Sequence, residues 1–338
     1  MTISRRTLSL TLSLALSATA LTAMAQTLPM PKVSGTLRTK MEVQTERSES
    51  RFEVRNARVA LDGKITDAIG YKAEIDLSDE GKIKMLDAWA SYTLLPDLRL
   101  TMGQMRVPFT IDAHRSPHVQ MFANRSFIAK QVGNVRDVGL AGRYMPAGTG
   151  LTLEAGAFNG SGLTDQKDYW TRSLNFSAKV QWKPVQGLTL QGSVQKLSPQ
   201  AGPVYLYDGG FTLTAGRLML EGEYLRKHYA GASFQDVNAV DAFAAWTFPL
   251  RGGTWRQLLV LARYDAMGDH SDGTPTDDGA FKRTDAARQR LTGGLTLRFA
   301  GKLPAELRLN YEKYFYSDKT AAKPSERDKA VVELMIHF

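Results

Sequence analysis

From residue 26 onward, apolar and polar side chains alternate along one stretch after another, and this period of two constrains the fold more than any other feature. Val33, Gly35, Leu37, Thr39, Met41 and Val43 stand on one side of the first stretch, with Ser34, Thr36, Arg38, Lys40, Glu42 and Gln44 on the other. Ile69, Tyr71, Ala73, Ile75 and Leu77 alternate with Gly70, Lys72, Glu74, Asp76 and Ser78, and the pattern returns over 173–183 and 290–299. Successive side chains point to opposite faces in a strand, whereas a helix would bring apolar residues back every three or four positions. The chain reads as all-β.

A soluble sandwich also alternates, so strand length has to separate the possibilities. The stretches run for roughly 9–13 residues, against about 5–6 in soluble sheets and about 9–11 for a tilted strand crossing a bilayer. Strands are predicted near 33–45, 51–64, 68–78, 82–95, 98–109, 136–145, 150–159, 172–183, 187–197, 204–215, 217–229, 236–248, 255–266, 286–300, 303–316 and 327–338. Every second connection is tight, as at Leu95-Pro96-Asp97 and Pro184 to Gly187. The others are often long and polar, as at 110–135, 160–171 and 267–285. Short turns on one rim and long loops on the other, around about 16 strands, describe a transmembrane antiparallel β-barrel.

The two ends of the chain agree with that reading. Arg5 and Arg6 precede an apolar run from Leu8 to Leu21, and Ala23-Met24-Ala25 forms a small-residue cleavage site. Residues 1–25 are therefore expected to be a secretory signal peptide cleaved after Ala25, with the barrel over 26–338. The alternative, a membrane anchor, suits such a short run poorly. The last strand ends Ala330, Val332, Leu334, Ile336 and Phe338 on one parity, and a terminal aromatic there resembles the sorting signal of bacterial outer-membrane barrels. The expected location is the outer membrane of a Gram-negative bacterium.

Composition removes several functions. A chain of 338 residues that is 43% hydrophobic and 23% charged lies far from the signature of disorder. Without cysteine it has no disulfide, thiol nucleophile or thiolate metal site. Its 43 Lys+Arg against 34 Asp+Glu, a formal net charge of +9, leave nucleic acid, an anionic surface or small anions as partners. Export removes nucleic acid from that set.

If the apolar parity faces lipid, the other parity lines a lumen. It carries Arg38, Lys40, Arg55, Arg58, Arg143, Lys179, Arg263, Arg290 and Arg308, together with Glu42, Glu74, Asp76, Glu154, Asp241 and Asp265. These charges either pair across neighbouring strands or leave a residual field in the narrowest part, and that field sets selectivity. The segment Thr110 to Val135 holds His114, Arg115, His118, Arg125 and Lys130, with Arg136 at its exit and Asp112 as its acidic group. Its Met121, Phe122, Phe127 and Ile128 suit a constriction loop folded into the barrel, the alternative being an external loop with incidental charge. Arg and Lys in such a loop are suited to tetrahedral oxyanions. Tyr92, Tyr144, Trp182, Tyr224, Trp246 and Tyr311 are candidates for aromatic girdles.

Several stretches resemble the phosphate-selective porins O and P. They are Arg55-Asn56-Ala57-Arg58-Val59-Ala60-Leu61-Asp62-Gly63-Lys64, Asp87-Ala88-Trp89, Gly103-Gln104-Met105-Arg106-Val107-Pro108-Phe109 and Arg136-Asp137-Val138-Gly139-Leu140. The resemblance extends over the mature chain through Leu309-Asn310-Tyr311 and the terminal strand. It implies a homotrimeric 16-stranded channel with an arginine-lined anion pathway, carried onto Arg55 and Arg58 and, around the loop, Arg125 and Arg136. The family's doubled arginine is interrupted here by Asn56 and Ala57, and the loops are short. Membership and strict phosphate selectivity are accordingly separate expectations.

The expected function is passive diffusion of small anions, phosphate or related oxyanions, without a cofactor. The anion-pathway candidates are Arg55, Arg58, Arg115, Arg125, Lys130, Arg136 and Arg143, and no catalytic or metal-binding residue is assigned. The partners are small inorganic anions and outer-membrane lipid. A weakly selective general diffusion pore is the alternative. A barrel enzyme is the more distant one, because no Gly-x-Ser-x-Gly elbow occurs, and His114 and His118 are spaced for a metal only on a helix and lack an adjacent Glu.

Overall fold

The computed structural model describes residues 30–131, 135–163, 166–231, 234–301 and 304–338, with the side chains of Lys130 and Gln131 outside that description. The proposed cleavage site after Ala25 also lies outside it. Sixteen antiparallel strands form a closed barrel in which each pairs with its sequence neighbours and the last returns to the first. They are β1 (Lys32–Gln44), β2 (Ser50–Lys64), β3 (Ile69–Asp79), β4 (Lys82–Leu95), β5 (Leu98–Arg106), β6 (Arg136–Tyr144), β7 (Leu151–Phe158) and β8 (Asn175–Val185). The other half is β9 (Leu188–Leu197), β10 (Val204–Ala215), β11 (Leu218–Tyr229), β12 (Val237–Pro249), β13 (Trp255–Met267), β14 (Arg288–Phe299), β15 (Ala305–Tyr316) and β16 (Lys329–His337). β5 stops three residues before the expected Phe109, at a point where Pro108 has no N–H to continue the ladder.

The alternation sorts the side chains as its period requires. Leu37, Leu77, Leu295 and Leu334 are exposed on the outer wall, while Arg38, Asp76, Thr296 and Glu333 are buried inside. Tyr92, Tyr144, Trp182, Tyr224, Trp246 and Tyr311 are 41–51% exposed, which puts all six on the outer wall. Tight turns on the short-turn rim use glycine where the backbone demands it. Gly187 has φ +85°, and a Cβ there would lie 2.2 Å from the Thr214 carbonyl oxygen.

Register shifts interrupt several ladders, and two of them reverse side-chain parity, one along β2 and one along β4. In the β1–β2 ladder Arg38 faces Asn56 and Thr39 faces Val54, so Arg55 is the extra residue. That inserted position lets Arg55 and Arg58, three apart, both face inward. In the β3–β4 ladder Glu74 faces Asp87 and Ile75 faces Met85, so Leu86 is extra. Gln104 Nε2 donates to the carbonyls of Met85 (2.7 Å) and Leu86 (2.9 Å), fastening this bulge. Its neighbour Gly103, at φ +129°, presses against β4 where a Cβ would lie 2.3 Å from Ala88 O. The Gly-Gln pair is therefore a strand-packing device.

Candidate functional site: the inward loop and the lumen wall

Residues 107–131 fold into the barrel, as their apolar side chains require. Phe122, Phe127 and Ile128 are 3%, 1% and 0% exposed. Val107 N–H donates to Val135 O (3.1 Å), tying the two ends of the loop together. The loop first crosses to β8, β9 and β11. Ser177 Oγ donates to Pro108 O (2.8 Å), Thr110 N–H to Ser193 Oγ (3.1 Å) and Ile111 N–H to Glu223 (2.5 Å), while Arg115 pairs with Glu221. It then reaches the barrel closure, where the His118 ring stacks on His337 with centroids 3.9 Å apart.

On the far wall, buried arginines hold the loop by its carbonyls. Arg38 donates to Gln120 Oε1 (2.8 Å) and Ala123 O (2.6 Å). Arg263 donates to Asn124 O (2.9 Å) and Arg290 to Arg125 O (2.6 Å). Each anchor also stands by a carboxylate: Arg38 by Glu333 (2.6 Å), Arg290 by Asp265 (2.7 Å) and Arg263 by Asp265 (3.7 Å). These lumen-parity arginines therefore serve as loop supports. The wall itself is not uniformly polar. Phe243, Ala245, Leu259 and Leu261 face inward and receive Phe122, and Leu206, Leu225, Val237 and Met267 join Phe127 and Ile128 in a second apolar cluster.

The candidate anion-pathway residues divide into matched and unmatched charges. Arg55 meets Asp79 (2.5 Å) and Glu80 (3.4 Å), and Arg58 meets Asp76 (2.9 Å) and Glu74 (3.5 Å). Arg136, buried, meets Asp87 (2.6 Å) and Glu74 (3.4 Å). Arg143 stands across from Arg99 in the β5–β6 ladder and 3.6 Å from Glu154. Arg115 is matched by Glu221 and by Asp112 (3.6 Å). Lys130 lies in the short helix Phe127–Gln131, with its side chain outside the described residues. Arg125 differs from the matched group. It donates to the carbonyls of Asp112 and of Arg115 (2.8 Å).

Arg106, the last residue of β5, joins Arg125 although spacing alone did not single it out. Its Nη1 donates to Arg115 O (3.0 Å), His114 O (3.1 Å) and Ala113 O (3.3 Å). Two guanidinium groups thus converge on the Arg115 carbonyl, and among the described residues neither has a carboxylate within 4.0 Å. Both remain partly accessible. Burial brings Arg125 down to about 9 against the attraction of Asp112, with Arg58, Arg38 and Arg55 adding repulsion. Its charge would gain from a counter-anion. Asp208, Glu221, Glu223 and Asp241 are buried acidic residues of β10–β12, of which Glu221 and Glu223 meet the loop at Arg115 and Ile111.

The two loop histidines part rather than converge. His114 Nδ1 lies 3.2 Å from Val107 O, whereas His118 sits on His337. No helix carries both.

Among known proteins, the family model described as phosphate-selective porin O and P matches residues 36–216, from β1 to the turn after β10. No curated protein sequence matches the chain. Solved structures share its fold at low identity. An anion-selective porin from Comamonas acidovorans superposes with a TM-score of 0.63 at 12% identity, covering 91% of this chain and 98% of that one. OmpF of Salmonella typhi, in complex with daunomycin, gives 0.65 at 10% identity over 91% and 97%. OmpT of Vibrio cholerae, in its trimer form, gives 0.61 at 12% identity over 92% and 100%.

Proposed function

The chain belongs to the phosphate-selective porin O and P family, and from that premise we propose that it passes small anions, phosphate and related oxyanions among them. As a porin it is a diffusion channel of the outer membrane, with the long loops facing the exterior. The observation that carries the anion reading is the convergence of Arg106 and Arg125 on Arg115 O without a carboxylate partner. A guanidinium fork with unused N–H groups suits a tetrahedral oxyanion, and partial burial strengthens the attraction. No cofactor or covalent step is required. The solute moves down its gradient, the inward loop narrows the passage, and the two arginines raise the local anion concentration.

A weakly selective pore is the second reading. Most other lumen arginines are neutralised by carboxylates, and the β10–β12 wall is acidic. The reversal potential of the purified channel in a planar bilayer under a salt gradient separates the two. An anion-selective potential, with chloride current blocked by phosphate, supports the first reading. A potential near zero without block supports the second and removes the first.

The proposal includes two features of the mature protein. Removal of residues 1–25 would leave Gln26 as the N-terminus, which N-terminal sequencing checks. A homotrimer is supported by the trimeric OmpT of the same fold, and cross-linking in native membranes tests it.

A further inference from the structure

On the long-loop rim, with no residue of the inward loop in its lining, the connections β7–β8, β9–β10, β13–β14 and β15–β16 contribute to a cavity of about 530 Å³. Lys227, from the end of β11, and His270 both line it and are only 2% exposed. Lys227 Nζ donates to Ser271 O (2.5 Å) and His270 Nδ1 (3.3 Å) and lies 5.0 Å from the Tyr229 ring centre. Among the described residues no carboxylate stands within 4.0 Å of this ammonium. Two of its three N–H groups are used, and one remains. Burial and the nearby Lys227 hold the His270 imidazole well below its ordinary value, so the ring is neutral. Accepting at Nδ1 places its hydrogen on Nε2.

The rest of the lining has a different character. Ser198, Gln200 and Thr284 make part of it polar, Leu197, Pro199 and Val204 give an apolar wall, and Tyr169 is exposed at its edge. Lys323 is tied to Asp285 (2.5 Å), and Asp272 adds a negative charge. A buried cation with one free donor, beside an apolar wall and near carboxylates, matches a single negative charge better than two.

We propose that this cavity binds a small organic monoanion, a carboxylate on an apolar body, with the carboxylate on Lys227 and the body against Leu197, Pro199 and Val204. The site is distinct from the constriction, and the proposal stands whether or not inorganic anions are favoured there. It makes the outer vestibule a capture point for organic acids.

The test is a titration of the full-length protein in detergent micelles with benzoate, read by Trp170, which is 91% exposed beside Tyr169. Benzyl alcohol, inorganic phosphate and the Lys227→Met and Arg125→Ala variants are run alongside. The expected result is saturable benzoate binding, weakened about tenfold or more by Lys227→Met and by replacing benzoate with benzyl alcohol. Excess phosphate and Arg125→Ala leave it unchanged. Absence of benzoate binding, equal binding of benzyl alcohol, full affinity in Lys227→Met, or displacement by equimolar phosphate overturns the proposal. Should Lys227→Met fail to assemble, Tyr169→Ala at the cavity edge takes its place, with about threefold weaker binding expected. Unchanged affinity in that variant is then the overturning result.

Discussion

Arg38 on β1 and Glu333 on β16 meet across the seam where the barrel closes, Nε and Nη2 both donating to one carboxylate oxygen at 3.0 and 2.6 Å. The same guanidinium reaches Gln120 and Ala123, so barrel closure and loop docking share one side chain. The other oxygen of Glu333 accepts from Arg308 (2.9 Å).

This sharing makes the two partners unequal. Arg38→Ala leaves Glu333 with Arg308, whereas Glu333→Gln leaves two buried guanidinium groups without that shared carboxylate. Breaking a buried pair costs about 3–5 kcal/mol. Glu333→Gln is expected at the upper end and Arg38→Ala at the lower, read from unfolding midpoints in urea. Arg38→Ala should also increase open-channel noise, because the loop loses two bonds. Equal midpoints for the two variants would contradict the asymmetry.

Removal of either unmatched guanidinium should move the reversal potential toward the cation side. Charge-assisted hydrogen bonds contribute about 1.5–3 kcal/mol, so Arg125→Ala should weaken phosphate block by about 10–100-fold. Arg125→Lys retains the charge but loses the fork, and an intermediate block is expected. Because Arg106 and Arg125 share the Arg115 carbonyl, their double variant should fall short of the sum of the singles. Single-channel titration with phosphate measures all three effects.

Loop docking should weaken on acidification. Burial, with His337 and Arg106 contributing, brings His118 down to about 4, and burial with Lys179 and Arg106 brings His114 to about 3. A detached loop would return both to about 6.5 and bind more protons than the docked one. The docked state therefore has its full advantage above about 6.5 and loses it as pH falls toward 4. Glu74 and Arg58 also act on His118, in opposite senses. Openings to a higher conductance level in bilayer recordings should become more frequent between pH 7 and pH 4. The His114→Phe/His118→Phe double variant should flatten that dependence, and an unchanged slope there would assign the effect to other groups.

The strands were legible because the outer wall meets a uniform apolar surroundings, which imposes one parity on residues such as Val33, Leu37 and Leu295. The inner wall has no such uniform partner. Its companions are loop residues distant in the chain, so the sequence could not separate Arg290, held by Asp265 and the Arg125 carbonyl, from an unmatched pore cation. The bulges at Arg55 and Leu86 were equally hidden, since one inserted residue leaves composition unchanged while reversing parity. Arg106 carries no signal of its own in the sequence, because the strand expected there runs on to Phe109. In β13, Leu258-Leu259-Val260-Leu261 is apolar on both parities, and that was the available sign that something packs inside.

That inner packing leads to the last prediction. Phe122 is 3% exposed, meets Phe243 edge-on at 5.6 Å and lies beneath the Arg263 guanidinium at 4.5 Å. Truncating a buried Phe costs about 3–5 kcal/mol where the surroundings cannot collapse. Here the loss falls on loop docking, because the β12–β13 ladder survives without the ring. Phe122→Ala should therefore keep the barrel folded yet raise both conductance and susceptibility of the loop to limited proteolysis, while Phe122→Leu should retain most of the docking. Unchanged conductance in Phe122→Ala would mean that the arginine–carbonyl bonds hold the loop alone. In that case Arg263→Met, which removes the bond to Asn124 O, should produce the larger opening instead.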